Sequence, residues 1–131
     1  MFGLNRDIEK RDEIIFGKYE PEAYRSGGMC RFENLSLEKL KQLVDLNFIS
    51  LEERQNDSPS VREFIEFMEK YSGYTVMGYA ISADRRDYRV SLEGIEKNNY
   101  VDSGEEISEF INLFGDADDF DTGHGMYAWF D

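Results

Sequence analysis

Hydrophobic positions along the chain change their period, helical first and then alternating. Ser36 stands before a stripe of Leu37, Leu40, Val44 and either Leu43 or Phe48, which predicts a helix to about Phe48. A polar stretch, Glu52 to Pro59, reads as a connection. Ser60 and Glu63 then have capping-box spacing and precede Val61, Phe64, Ile65, Met68 and Tyr71 on one helical face, closed by Ser72-Gly73. From Tyr74 to Ser82 and from Tyr88 to Ile95 the period drops to two, which predicts a hairpin around Ala83 to Asp87. In its second strand Tyr88, Val90 and Leu92 face one way. Arg89, Ser91 and Glu93 face the other, and Arg89 with Glu93 marks the expected solvent side.

A third helix opens at Ser103, with Glu106 in capping-box position and Ile107, Phe110, Ile111 and Phe114 as its buried stripe; Gly115 ends it. Residues 117–131 read as a second hairpin turning at Gly123-His124-Gly125. Its outgoing strand sets Met126, Ala128 and Phe130 against Tyr127 and Trp129 on the opposite face. The expected fold is α+β, in the order α-α-β-β-α-β-β, with about three helices on an antiparallel sheet of about four strands made from two hairpins. Residues 1–33 carry weaker signals. Ile14-Ile15-Phe16, a turn at Glu20-Pro21-Glu22 and a loop at Ser26-Gly27-Gly28 suggest a short helix or an arm over the core, with disorder at its extreme end. The expectation is one domain, a poorly readable arm over 1–33 and an α+β core over 34–131.

Charge adds what periodicity does not. The 131 residues include 28 acids and 15 bases, a net of −13, yet no Lys or Arg follows Lys97 while nine acids do. The first 97 residues are therefore only mildly acidic, and the field is concentrated in the last quarter. Such a field repels nucleic acid and anionic membrane and favours a basic partner or a cation. Aromatic residues make up 15% of the chain, apolar area enough to exclude intrinsic disorder. One cysteine, Cys30, permits no internal disulfide, no leader-like apolar region opens the sequence, and no run reaches membrane-spanning length. A cytoplasmic location is expected.

Asp116, Asp118, Asp119 and Asp121, with His124 nearby, are the first candidates for chemistry. Carboxylates at such spacing suit a hard cation. Counted from Asp116 as an EF-hand loop, however, the fifth position is Phe120, the sixth Asp121 and the twelfth Tyr127, so that pattern fails. Asp116, Asp118, Asp121 and His124 remain as metal candidates beside the simpler reading of a solvated helix end. Acids just after a helix C-terminus oppose its macrodipole, so turn amides or a partner should satisfy them. A Cys30–His124 nucleophile pair has no local support, and no GxSxG, HExxH, P-loop or GxGxxG sequence occurs. No cofactor is expected, and the chain offers no motif for an enzyme.

The runs Glu66-Phe67-Met68-Glu69-Lys70-Tyr71, Gly78-Tyr79-Ala80-Ile81-Ser82, Asp87-Tyr88-Arg89-Val90, Asp118-Asp119-Phe120-Asp121 and Trp129-Phe130-Asp131 together resemble a group of small, uncharacterised bacterial proteins that end in an acidic-aromatic signature. The resemblance covers about residues 34–131. It implies a bacterial, cytosolic protein and supplies no catalytic or binding residues.

Three functional expectations follow. The first is a protein-binding module, inhibitor, immunity-like or adaptor, in which Asp116, Asp118, Asp119 and Asp121 pair with a basic protein while Tyr127 and Trp129 anchor it. The second is a divalent-cation-binding or metal-sensing domain using the Asp116–Asp121 cluster. The third is a structural domain whose acidic surface only solubilises it.

Overall fold

A computed structural model describes residues 3–131 and shows an α+β fold with four helices and a five-stranded antiparallel sheet. The helices are α1 (Ile8–Phe16), α2 (Leu37–Asp45), α3 (Val61–Lys70) and α4 (Gly104–Phe114). The strands are β1 (Met29–Leu35), β2 (Thr75–Ile81), β3 (Val90–Lys97), β4 (Asp119–Asp121) and β5 (Met126–Trp129), and they lie in the order β1-β2-β3-β5-β4. A single 3-10 turn covers Pro21–Tyr24.

The count of about four strands and three helices is thus corrected by one of each, both beginning in the N-terminal section. Strand β1 escapes a period-two reading because it is an edge strand with only Phe32 and Leu35 buried. An irregularity between those two residues, with Asn34 at φ +57°, breaks the alternation. Helix α1, capped by the Asp7 side chain, buries Arg11 and Asp12 beside Ile14 and Ile15, so its inward face carries no apolar stripe. The boundary drawn at 33/34 falls inside β1. Disorder expected at the extreme N-terminus concerns Met1 and Phe2, which lie outside the described residues. Asn5 is tied down, its amide donating to Asn47 O at 2.8 Å.

The other elements follow their sequence signals, except that Ile111, expected on the buried stripe of α4, is 46% exposed. In α3 both capping-box bonds form: Glu63 N donates to Ser60 Oγ at 3.3 Å and Ser60 N donates to Glu63 Oε1 at 2.9 Å. Helix α2 stops at Asp45, short of the expected Phe48, because Asn47 turns left-handed at φ +63°. Phe48 is nevertheless buried, brought back over the helix end by its N–H bond to Leu43 O at 2.8 Å.

All four helices pack on one face of the sheet. Ile14 and Ile15, Leu40 and Leu43, Phe64 and Phe67, and Phe110 and Phe114 join Phe32, Val76, Val90, Leu92, Ile95, Met126, Ala128 and Phe130 in a single core. Phe67 and Phe114 meet edge-on at 5.4 Å, joining α3 to α4. Burying such rings supplies the bulk of the stability. Met77, Ile81 and Trp129 are buried outside that core, on the opposite face. Among the described residues no helix adds a buried side chain to that face.

Candidate functional site

Strand register decides which candidate residues meet. Antiparallel partners share a face, so the β4–β5 pairing places Asp119 beside Trp129 and Asp121 beside Tyr127. The β3–β5 pairing continues both rows, with Gly94 next to Trp129 and Glu96 next to Tyr127. Two rows therefore cross the helix-free face, Glu96–Tyr127–Asp121 and Gly94–Trp129–Asp119. Asp119 and Asp121 are exposed, and Glu96 and Tyr127 are half-buried.

The first row borders a recess of about 270 Å³ lined by Glu96, Asp121, His124 and Tyr127 together with the adjoining strand ends. Lys97 also borders it, but its ammonium donates to Glu106 Oε2 at 3.1 Å on the helix side. The recess is thus acidic on balance. Gly123 N donates to Asp121 Oδ1 at 2.8 Å, and this bond, with His124 Nδ1 at 3.6 Å from the other oxygen, holds the Asp121 carboxyl below its ordinary 3.8. Asp121 is therefore an anion throughout the neutral range. Gly125, at φ +148°, closes the turn where a Cβ would lie 2.6 Å from Lys97 O, so only glycine fits.

Trp129 heads the second row and is 7% exposed. Its indole crosses Gly94, where a Cβ would lie 2.9 Å from Trp129 Cε3, Met77 Cγ and Ala128 O alike. Tyr79 meets it edge-on at 6.0 Å, and the Arg31 guanidinium carbon sits 4.4 Å from the ring centre. The solvent side expected for Arg89 and Glu93, which share a face with Ser91, needs correction. They are on the helix-free side of the sheet, yet Ser91 is fully buried and Glu93 is 8% exposed. Glu93 is the extra residue of a bulge opposite Met77 and Gly78, and Ser91 Oγ donates to its Oε2 at 2.6 Å.

Asp116 and Asp118 stand elsewhere. With Asn56, Asp57 and Asp131 they line a separate open cleft of about 520 Å³. Asp131 N donates to Asp118 Oδ2 at 2.6 Å. Backbone amides thus satisfy both Asp118 and Asp121, the arrangement anticipated for acids that follow a helix. Among the described residues no group of three or more His, Cys, Asp or Glu side chains is placed to hold a metal ion. His124, 94% exposed, has its Nδ1 3.6 Å from Asp121 Oδ2 and is not among the residues that line the cleft.

Cys30 and His124 belong to β1 and to the β4–β5 turn, at opposite edges of the sheet, and do not pair. Burial pushes the Cys30 thiol above its usual value, away from the thiolate form. At the β2–β3 tip, Asp87 bridges Arg85 at 2.8 Å and Arg89 at 3.0 Å, a local compensation of charge. Glu96 and Arg31 join the site without any sequence signal, since a non-local register alone brings them there. Among the described residues no helix is long and apolar enough to cross a membrane. No family model matches the chain, and no curated protein or solved structure matches it either.

Proposed function

We propose that the protein is a small binding module that engages a basic protein through the helix-free face of its sheet. The observation that carries this reading is the row Glu96–Tyr127–Asp121, in which two carboxylates flank one partly exposed tyrosine. An aromatic ring with anions on both sides suits a Lys or Arg side chain, which gains a cation–π contact and charge pairing together. Asp119 extends the same acidic edge, and the base-free segment after Lys97 supplies a field that steers a cationic partner toward it. Asp116 and Asp118, on the separate cleft, add to that field without sharing the face.

Affinity capture from nuclease-treated cell lysate at low and high salt tests the reading. A basic protein retained by the wild type at low salt, and lost when Glu96, Asp119 and Asp121 are changed to Gln and Asn, is the expected result. Equal capture by both baits would remove the face as a binding surface.

A further inference from the structure

The helix-free face already holds an arginine against its tryptophan. Arg31 leaves the edge strand β1, where Tyr79 is its cross-strand partner, and places its guanidinium over Trp129 on β5. Strands β2 and β3 lie between, and the two side chains meet over them, the indole crossing Gly94 toward Tyr79. Little fastens it there. Its ion-pair partner among the described residues is Glu33 at 3.4 Å, with the two side chains 44% and 59% exposed, and pairs of that exposure contribute little. Under this arrangement Glu93, next to Gly94 in the bulge, is a nearly buried carboxylate. Among the described residues no Lys or Arg nitrogen lies within 4.0 Å of it, and a hydroxyl is its hydrogen-bond partner. A carboxylate so placed is costly until a cation answers it. Asp119, exposed and in register with Trp129, supplies a second anion at the rim.

We infer, on the premise that this face receives a basic protein, that Arg31 is a place-holder which an arginine of the partner displaces from Trp129. The incoming guanidinium stacks on the indole between Tyr79 and Asp119, in the place of Arg31. Arginine suits this position better than lysine, because its planar, weakly hydrated group stacks on an aromatic face, whereas an ammonium is compact and strongly hydrated. Arg31 thereby keeps the apolar floor covered in the free protein, where bare aromatic surface would invite non-specific association.

Trp129 is the only tryptophan in the chain, so its emission reports this site alone. The test titrates the intact protein with a short oligo-arginine peptide and with an oligo-lysine peptide of equal length. Anisotropy of a dye on the peptide records binding anywhere, and Trp129 emission with unlabelled peptide records binding at the indole. The arginine peptide should change Trp129 emission and the lysine peptide should do so less. Arg31→Lys keeps the charge and weakens the internal stack, so it should tighten the arginine peptide by roughly two- to fivefold. Peptide binding by anisotropy with unchanged emission, and with equal affinity for Arg31→Lys, would overturn the place-holder and leave the basic-partner reading standing. Absence of binding by either peptide at low salt would overturn both.

Discussion

Glu96 and Asp121 belong to different strands that do not touch, yet both stand in register with Tyr127. Strand spacing puts their backbones roughly 10 Å apart, close enough for mutual repulsion at low salt and for one cation to satisfy both. Among the described residues no Lys or Arg pairs with Glu96. Glu96→Gln should therefore leave the melting temperature unchanged or slightly higher at low ionic strength while weakening capture of a basic partner. Thermal melts and binding titrations on the same samples, repeated in high salt, check this. A clear drop in melting temperature would show that Glu96 serves the fold instead.

Gly94 is fixed by what crosses it. A Cβ there would press on Trp129, Met77 and the Ala128 carbonyl at 2.9 Å each, and the carbonyl cannot rotate away. Gly94→Ala should cost about 1–3 kcal/mol by overpacking and should perturb Trp129 emission in the folded state. Urea unfolding followed by fluorescence measures both at once.

Elements that bury a regular stripe could be read in the sequence, and the others could not. Ser60 and Glu63 announce α3 because the cap and the apolar spacing are local. Helix α1 could be read only as a short helix or an arm because Arg11 and Asp12 occupy its buried face, and β1 hides because Asn34 breaks its period. The candidate site divides in the same way. Tyr127 and Trp129 could be assigned to one strand face from alternation alone. That Asp119 and Asp121 join them, while Asp116 and Asp118 do not, depends on where β4 begins. Glu96 needed the β3–β5 register, which links segments separated by the whole of α4.

Arg11 is the largest side chain wholly removed from water. It donates to Asp12 Oδ1, to Ile81 O and to the Tyr24 hydroxyl, each at 2.9 Å, while Tyr24 donates to Asp12 Oδ2. Burial, together with the bond to Asp12, raises the Tyr24 phenol well above its ordinary value, so it stays a donor. This network fastens the N-terminal helix to the end of the β2–β3 pair. Arg11→Met leaves the Asp12 charge buried alone and should cost about 3–5 kcal/mol. Replacing Asp12 with Leu in the same chain should recover part of that loss. A double-mutant cycle in urea determines the coupling, and simple additivity would show that the pair does not act as a unit.

Lys70 ties α3 to α4 through Glu109 and has Glu105 nearby at 3.7 Å. The bond to Lys70 lowers the Glu109 carboxyl from 4.5, and the bond to Glu109 raises the Lys70 ammonium from 10.5. A depressed carboxylate contributes stability above its unfolded value and loses it as pH falls through the folded one. A raised ammonium contributes below its unfolded value and loses it as pH rises through the folded one. The bridge should therefore act between about 4.5 and 10.5. Glu109→Gln should melt below the wild type inside that window and converge with it in acid. A constant difference across the titration would mean that shape, not charge, sets the effect.

Splitting the aspartates by position makes the sharpest test of the face. Asp119 and Asp121 flank the aromatic row on β4, whereas Asp116 and Asp118 line the cleft with Asn56, Asp57 and Asp131. Both pairs contribute the same net charge, so long-range steering treats them nearly alike. Contact does not. Changing Asp119 and Asp121 to Asn should slow association and also speed dissociation of a basic partner. Changing Asp116 and Asp118 to Asn should slow association alone, by an amount that vanishes in high salt. Surface-plasmon kinetics on the two double variants separate these cases. If both speed dissociation equally, the partner spans the cleft as well as the sheet. If neither does, the carboxylates act only through their field and the contact lies elsewhere.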